Sequence, residues 1–351
     1  MIVVGVDAHK KTHTAVAAEE PSGKVVAEIT VSARANGHLK LMRWAAGIDP
    51  RRRFAVEDCR HVSGLLERML LERGERVCRV PPKMMARQRR TERTRGKSDP
   101  IDATAVARAA IANPDLPEAT VTGPERDVRL LVDHRETLVS ERTALQNRLR
   151  WHLHELDPGI GVATGALDRF RVLDALAERV RGYGEGVLVQ VALEEIARIR
   201  ELTDAAKRLE HQIRMLVRRL APQLLAIPGC AELTAGKIIG EVSGVGRFSS
   251  DAKLALHAGA APLEASSGDR TRHRLNRAGN RQLNAALHRI AVTQLRIHEP
   301  AKLYMKRRIS EGKTKREALR SLKRHLARVV YRSMQPMNTE DPTRQARAAL
   351  T

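Results

Sequence analysis

The chain has 351 residues, enough for two or three domains that each bury a core. Its 63 Lys and Arg outnumber 41 Asp and Glu, and the formal net charge of +22 favours a polyanionic partner, nucleic acid above all. Three cysteines without paired spacing exclude a zinc ribbon and a disulfide framework, and no apolar run approaches the about 18–20 residues that span a bilayer. We therefore expect a cytoplasmic protein without a membrane segment.

The first part of the chain alternates strand and helix patterns. Residues 2–7 ("IVVGVD") form a β-branched run, and two more strand patterns, 13–20 and 24–32, flank the turn "PSGK", which predicts an antiparallel meander. Helix and strand patterns then alternate over residues 36–47, 52–58, 62–74 and 76–82. Three strands, helix, strand, helix, strand is the order of the ribonuclease H-like fold, so we predict an α/β domain of that class.

A basic run, "RVPPKMMARQRRTERTRGK", covers residues 79–97 with Glu92 as its only acid. Lys and Arg in such a run neutralise nucleic-acid phosphates and fix the position of the duplex. A further helix pattern, "SDPIDATAVARAAI", follows directly. The predicted nucleic-acid contacts in the run are Lys83, Arg87, Arg89, Arg90, Arg93, Arg95 and Lys97.

Two long amphipathic stretches, residues 125–156 and about 191–221, are joined by a Gly-rich link near 158–187. They predict an antiparallel helical pair or coiled coil, which is either a spacer or an element for dimerisation or for holding nucleic acid. Beyond it, a helix breaks at Pro228-Gly229 and another begins, a helix-hairpin-helix-like segment that offers backbone N–H groups to a phosphate.

The C-terminal segment is basic and predicted to be helical from Pro300 to about Met334. These changes of pattern divide the chain into four parts. The predicted parts are an α/β domain (1–115), a helical coiled-coil region (116–222), a mainly α C-terminal domain (223–335) and a disordered tail (336–351).

Four acids are placed to meet at one end of the predicted sheet. Asp7 ends the first strand and Glu57 ends the fourth, while Asp99 and Asp102 stand three apart on one face of a helix. Oxygen ligands of this kind suit Mg²⁺, and two ions about 3.5–4 Å apart activate an attacking oxygen and stabilise a leaving one. Structural explanations also exist: Asp99 before Pro100 suits a helix cap, Glu57 a solvated strand end, and Asp7 a turn contact.

The N-terminal segment "VVGVDAHKKTHTAVAAEEPSGKVV" is also compatible with an actin-like ATPase or a sugar kinase, in which an acid follows the first strand. Those proteins repeat the sheet in a second half, with another acidic strand and Gly-rich phosphate loops. The sequence contains no second copy of this pattern, which disfavours that class.

The segment "PLEASSGDRTRHRLNRAGNR", residues 262–281, places Ser266 and Ser267 beside Gly268 and ahead of a basic stretch. No His–acid pair lies near enough in sequence to activate a serine as in a hydrolase. The residues alone fit either a surface turn with a positive flank or a nucleophile presented to an anion. The arginines whose guanidinium groups would suit phosphate oxygens are Arg270, Arg272, Arg274 and Arg277.

Taken together, these motifs resemble one family. "GVDAHKKTH", "AVEDCR" and "KSDPIDA", in that order, are similar to the four-acid pattern of the DEDD transposases, the insertion-sequence family related to the Piv and MooV invertases. The block from Ile227 to Leu287, which begins "IPGCAELTAGKIIGEV" and contains both serines, resembles the second domain of that family. The similarity covers most of the chain, and the helical link is the variable part.

The resemblance implies a RuvC-like domain in which Asp7, Glu57, Asp99 and Asp102 bind Mg²⁺, with two ions expected. It also implies that a serine of the C-terminal domain attacks DNA and forms a covalent phosphoserine link. Of the two serines, the one next to glycine, Ser267, is preferred over Ser266. Metal-bound carboxylates would then give the serine the activation that a histidine gives in hydrolases.

The resemblance further implies double-stranded donor and target DNA, a noncoding guide RNA encoded by the element, and homodimers or homotetramers. In these assemblies the acids of one subunit face the serine of another. Two departures stand out: Pro100 lies between the acids where the family often has a polar or basic residue, and "NRAGNR", with Arg277, stands in place of a "KRG" segment. We expect a bacterial, nucleoid-associated protein.

Three functions follow as hypotheses. The first is a DNA transposase or recombinase that acts through a phosphoserine intermediate. The second is a RuvC-like endonuclease that resolves branched DNA without a covalent intermediate, and the third is a catalytically silent nucleic-acid-binding protein. A covalent protein–DNA adduct separates the first from the second, and binding without cleavage indicates the third.

Overall fold

The computed structural model describes residues 1–91, 98–119, 123–264, 273–274, 276 and 279–335. The chain forms two compact units, Met1–Gly123 together with Ser243–Thr351, and Pro124–Val242. Among the helices of the described ranges, none is both long enough and apolar enough to cross a membrane. The division into four parts derived from the sequence stays a prediction.

The first unit is built on a five-stranded sheet. Its strands are β1 (Ile2–Ala8), β2 (Thr12–Glu19), β3 (Val25–Ser32), β4 (Arg52–Glu57) and β5 (Val77–Val80). The first three form the antiparallel meander that the sequence predicts, and β4 and β5 continue parallel to β1 in the order β3-β2-β1-β4-β5. The N-terminal part is therefore an α/β structure, as predicted.

Helices cover both faces of this sheet. They are α1 (Ala35–Ile48), α2 (Arg60–Glu72), α3 (Pro82–Thr91) and α4 (Asp99–Ile111). Because successive residues of a strand point to opposite faces, Val4 and Val6 of β1 share a core with Leu41 of α1 and Leu66 of α2, whereas Val3 belongs to the core under α3 and α4. The alternating direction of the β1 side chains thus gives three layers: α1 and α2, the sheet, and α3 and α4.

Small residues let α4 approach β1 closely. A Cβ atom at Gly5 would lie 2.3 Å from the carbonyl oxygen of Ala103 and 2.4 Å from the amide nitrogen of Ala107. At the other end of the helix, the guanidinium of Arg53 donates a hydrogen bond of 2.9 Å to the carbonyl oxygen of Ala110. These contacts orient α4 so that its first turn lies beside the carboxyl end of β1.

The second unit is helical. Its helices are α5 (Pro124–Leu156), α6 (Phe170–Arg181), α7 (Val187–Leu220) and α8 (Glu232–Val242). Arg135 of α5 pairs with Glu210 of α7, and further along α5 His152 pairs with Glu195, so the two long helices are antiparallel, as predicted. Helix α6 lies within the predicted Gly-rich link and is not itself predicted, because glycines flank it, yet it buries an apolar face that includes Leu176.

Further helices complete the first unit: α9 (Asp251–His257), α10 (Arg281–Ile297), α11 (Glu299–Ser310) and α12 (Lys315–Met334). The predicted basic helix ends at Met334 but is broken, because Gly312 has a positive φ of 86° and Thr314 forms a capping box with Glu317. Two short paired strands, β6 (Leu263–Glu264) and β7 (His273–Arg274), precede α10. The C-terminal part is helical, as predicted, and the predicted disordered tail lies outside the described residues.

Candidate active site at the sheet edge

Asp7 and Glu57 lie at the same end of the sheet. The parallel pairing of β1 with β4 runs to Val6 opposite Val56, so the two acids take the next position on adjacent strands. Glu57 is the last residue of β4, as predicted, whereas β1 continues one residue beyond Asp7, to Ala8. The strand order therefore brings both acids to one edge, where the carboxyl ends of the parallel strands meet.

The other two predicted acids come from the first turn of α4. Ser98 is the N-cap and Asp99 is the first helical residue, so Asp99 is not the helix cap that its place before Pro100 suggests. Asp102 is buried, with 8% of its surface exposed. Acids in a first turn interact favourably with the helix dipole, and here that turn lies beside the end of β1.

Three side chains converge at this edge: Asp7, His9 and Asp99. Nε2 of His9 lies 3.0 Å from Oδ2 of Asp7 and 3.5 Å from Oδ1 of Asp99. Within the described ranges, these residues form the group of possible metal ligands whose ligand atoms all lie within 4.8 Å of one another, and Glu57 and Asp102 lie outside it. Within this distance lie two of the four predicted acids and a histidine, while the charge of Asp102 also acts on Asp7.

The ionised form of Asp7 is unfavourable where the residue lies. Its side chain is 4% exposed, and burial raises the pKa of the carboxyl, which the charges of Asp102 and Asp99 raise further, while His9 acts in the opposite direction. A divalent cation among these atoms would favour the ionised carboxylates. The carboxylate oxygens are donors that suit Mg²⁺ and Mn²⁺, and the imidazole nitrogen is a donor that suits transition-metal ions better than Mg²⁺.

A thiol borders the acids. Cys59 is the residue before α2, and its Sγ lies 3.9 Å from the carbonyl oxygen of Ala8. Burial, followed by the charge of Glu57, raises the pKa of the Cys59 thiol to about 11. The group is therefore neutral near pH 7.

The histidine carries no role in the sequence analysis, although "GVDAHKKTH" contains it. The spacing could have identified His9. Side chains two residues apart at a strand end point to the same side, so a histidine two residues after a metal-binding acid can bind the same ion. The signal is weak by itself, because only the packing of α4 brings Asp99 to His9.

The predicted nucleophile falls between β6 and β7. Leu263 pairs with Arg274 and Glu264 with His273, a short hairpin that the sequence analysis does not predict because two-residue strands show no periodicity. Ser266 and Ser267 lie outside the described residues. Their role stays a prediction.

The predicted nucleic-acid contacts are placed only in part. Four of them belong to α3, a helix that is predicted only as a basic run: Lys83, Arg87, Arg89 and Arg90. Outside the described residues lie Arg93, Arg95, Lys97, Arg270, Arg272 and Arg277, together with the side chain of Arg274. All of these contacts stay predictions.

The hairpin predicted at Pro228-Gly229 is a turn in which Gly229 has a positive φ of 81°. A 3₁₀ turn (Pro222–Ala226) precedes it in place of a second regular helix, and α8 follows. The backbone N–H of Glu232 lowers the pKa of that residue's own carboxyl, which also accepts a hydrogen bond of 3.3 Å from Arg218. Since the first turn of α8 already holds an anion, it is a poorer phosphate site than the sequence suggests.

Two family models match the chain. Residues 4–158, which contain all four acids, match an IS110-type DEDD model described as "Transposase". Residues 221–306, which contain both serines, match a model described as "Transposase IS116/IS110/IS902 family".

Two proteins of Streptomyces insertion elements are similar to the chain. The chain is 27% identical to "Insertion element IS116 uncharacterized 44.8 kDa protein" of Streptomyces clavuligerus, with 94% of each chain covered. It is 31% identical, over 164 residues, to "Insertion element IS110 uncharacterized 43.6 kDa protein" of Streptomyces coelicolor (strain ATCC BAA-471 / A3(2) / M145), which covers 46% of this chain and 40% of the other.

Proposed function

Because the chain belongs to the IS110/IS116 family of DEDD insertion-sequence transposases, we propose that it cuts and rejoins DNA through a covalent serine–phosphate intermediate. The observation that carries the proposal is the convergence of Asp7, His9 and Asp99 at the sheet edge. The net charge of +22 supports a DNA partner. The strand order β3-β2-β1-β4-β5 favours a RuvC-like domain that carries the acids.

The metal-holding role is assigned to Asp7, Glu57, Asp99 and Asp102, with Mg²⁺ as the proposed ion and two ions per site. Bound divalent cations stabilise negative charge on the phosphate and on the attacking and leaving oxygens. Asp7 stands on a buried strand and Asp99 on the first turn of a packed helix, so both carboxylates are held by regular structure. Between them, Nε2 of His9 lies 3.0 Å from Oδ2 of Asp7 and 3.5 Å from Oδ1 of Asp99.

The proposed nucleophile is Ser267, with Ser266 as the other candidate. In this step a bond forms between Oγ and phosphorus, and one phosphorus–oxygen bond to a deoxyribose breaks. The hydroxyl loses its proton, and the departing sugar oxygen takes one up. The residues proposed to offset the charge on the phosphate oxygens are Arg270, Arg272, Arg274 and Arg277.

Double-stranded donor and target DNA are the proposed substrates, and a noncoding RNA encoded by the element is the proposed guide. A homodimer or homotetramer would let the acids of one subunit act with the serine of another. The basic residues from Lys83 to Lys97 are the proposed contacts to phosphates. The expected location is the nucleoid in the cytoplasm.

An adduct assay tests this mechanism. The full chain is incubated with element-end DNA, RNA transcribed from the flanking noncoding sequence, and Mg²⁺, and is then denatured and separated by size. We expect a covalent protein–DNA band that Ser267→Ala and Asp7→Asn remove. Ser22→Ala, at an exposed serine of the same protein, is the matched control and is expected to keep the band. An adduct that survives both Ser266→Ala and Ser267→Ala contradicts the mechanism.

The second candidate is a RuvC-like endonuclease, because Asp7, His9 and Asp99 offer by themselves the ligands for a cation that would activate water. In that case the same assay shows cut DNA with free ends, no adduct, and no effect of either serine change. Binding that weakens with salt, without any cleavage, would instead identify a nucleic-acid-binding protein.

A further inference from the structure

His9 is the one member of the sheet-edge group that the four-acid pattern does not include. It follows β1 directly, and its backbone N–H donates a hydrogen bond of 2.9 Å to the carbonyl oxygen of Thr12, which closes the turn into β2. The next residue pair of that hairpin is Ala8 opposite His13. The Cα of His9 is therefore fixed by the sheet, and the direction of its side chain is not that of a free loop residue.

The imidazole points its Nε2 at two carboxylates from different elements. Nε2 lies 3.0 Å from Oδ2 of Asp7 on β1 and 3.5 Å from Oδ1 of Asp99 on α4. A carboxylate pair can only accept, so the atom that faces both is either a proton donor or a neighbour on a shared cation. Ligand atoms about 2.1–2.2 Å from one cation and at right angles lie about 3.0 Å apart, which agrees with the separation of 3.0 Å from Asp7 and is about 0.5 Å shorter than the separation from Asp99.

We propose that Nε2 of His9 is a direct ligand of the divalent cation, beside Asp7 and Asp99. The inference rests on the proposed metal-dependent function, and it adds a nitrogen donor to a site otherwise made of oxygen. Half of the His9 side chain is exposed, whereas 4% of the Asp7 side chain is. The histidine therefore closes the site from the solvent side, and Asp7 closes it from within the sheet.

A nitrogen ligand has a consequence for the choice of ion. Imidazole nitrogen suits the first-row transition-metal ions, a series that begins with Mn²⁺, better than it suits Mg²⁺ and Ca²⁺, which favour oxygen. Removing the imidazole should therefore weaken Mn²⁺ binding by about tenfold or more, and Ca²⁺ binding by less. A residue that only orients Asp7 through a hydrogen bond would change the affinity for all of these ions to the same extent.

Pulsed electron paramagnetic resonance of the full chain loaded with Mn²⁺ alone gives a test without an activity readout. Hyperfine coupling to a directly bound imidazole nitrogen is expected in the unchanged protein. It should disappear in His9→Gln, where the amide offers an oxygen near the position of Nε2, while Mn²⁺ stays bound. His154→Gln, at an exposed histidine of α5, is the matched control and should keep the coupling. His9→Ala, measured by calorimetric titration with Mn²⁺ and Ca²⁺, gives the change of preference.

The outcomes separate this inference from the function on which it rests. Mn²⁺ that binds in an Asp7-dependent way but shows no nitrogen coupling, or keeps the coupling in His9→Gln, overturns the ligand role of His9 alone. An unchanged ratio of Mn²⁺ to Ca²⁺ affinity in His9→Ala overturns it as well. Mn²⁺ binding that is absent, or unaffected by Asp7→Asn, overturns the proposed metal centre and His9 with it.

Discussion

Carboxylates meet in each of the two compact units, and the two groups are built in opposite ways. At the sheet edge, the buried carboxyl of Asp7 lies near Asp99, and its pKa is raised. In the helical unit, Asp133 and Glu136 of α5 accept hydrogen bonds of 3.0 and 2.8 Å from the ammonium of Lys237 on α8. One group has excess negative charge, and the other contains its own cation. The difference separates acids suited to holding a ligand from acids that stabilise a fold.

The helical group also shows what is needed to bury a protein cation. Lys237 is 2% exposed, and two glycines bring its helix close to its neighbours. A Cβ atom at Gly236 would lie 2.9 Å from Cγ2 of Ile213, and one at Gly240 would lie 2.7 Å from the Cβ of Arg129. The close approach packs the carbon stem of the lysine while its ammonium reaches the acids of α5.

Neutralising Asp7 has the largest expected effect, and it should change function and stability in opposite directions. We expect Asp7→Asn to lower Mg²⁺-dependent DNA cleavage by at least about 10³-fold, because about 4 kcal/mol of transition-state stabilisation is lost. The same change removes a buried charge, so the free energy of unfolding should rise by about 1 kcal/mol. Cleavage of labelled DNA and urea-induced unfolding of the full chain measure the two effects.

The control is the same substitution in the other group. Asp133→Asn removes one negative charge beside the ammonium of Lys237 and is expected to leave cleavage intact while lowering the free energy of unfolding. If Asp7→Asn also destabilised the protein, the contrast between the two kinds of acid would not hold. Retained cleavage in Asp7→Asn would remove Asp7 from the site.

The second prediction concerns the charge on Lys237. Asp133→Asn combined with Glu136→Gln leaves an ammonium that is 2% exposed without these two carboxylates, so we expect a loss of about 3 kcal/mol in the free energy of unfolding. Lys237→Met keeps the stem and removes the charge, and it should cost only about 1 kcal/mol. Urea-induced unfolding followed by circular dichroism distinguishes the two. Equal losses would show that packing, and not the buried charge, dominates.

The sheet could be predicted from the sequence because its signals are local. The β-branched run before Asp7, the turn after β2 and the strand that ends at Glu57 are each visible within a few residues. The first turn of α4 is also local, since Ser98 and the acids that follow it are typical of a helix start.

What could not be predicted depends on packing. The meeting of Asp7 with Asp99 requires α4 to lie against Gly5, a contact between distant parts of the sequence. The same contact decides that His9 faces Asp99, while Glu57 stays outside the close group. In the helical unit, the sequence alone suggests that Lys237 is an ordinary surface residue, and only the position of α5 shows that it is buried.

The third prediction concerns two buried histidines of the first unit, which lie between the sheet and α1. Nε2 of His13 on β2 lies 3.1 Å from Nε2 of His38 on α1, and burial lowers the pKa of His13 to about 4 and lowers that of His38. The unfolded chain binds these protons below about pH 6.5, whereas in the folded chain the pKa of His13 is about 4 and that of His38 is lowered, so stability falls as the pH falls below about 6.5. His13 alone should contribute a loss of about 2 kcal/mol between about pH 7.5 and 5.

Trp44 of α1 packs against the same core and reports on this unit, provided that the exposed Trp151 is replaced by Phe. Urea midpoints at the two pH values should differ less in His13→Gln than in the parent protein. His154→Gln, at an exposed histidine, should keep the full difference. The same pH dependence in all three proteins would show that other groups cause the loss.

The smallest expected effect concerns the first turns of two helices. It tests whether the polar residues at the start of α4 stabilise the helix or serve the site. Asn280 caps α10, where its Oδ1 accepts a hydrogen bond of 2.9 Å from the backbone N–H of Leu283. Within the described helix α4, the N-cap Ser98 makes no such side-chain bond. We expect Asn280→Ala to cost about 1 kcal/mol in the free energy of unfolding and Ser98→Ala to cost less than half as much. Asn280→Asp, which keeps an acceptor, should restore most of the loss. If Ser98→Ala proved as costly as Asn280→Ala, the first turn of α4 would depend on its N-cap. The acids of that turn would then have a structural role at the helix start, and their presence there would not indicate ligand binding.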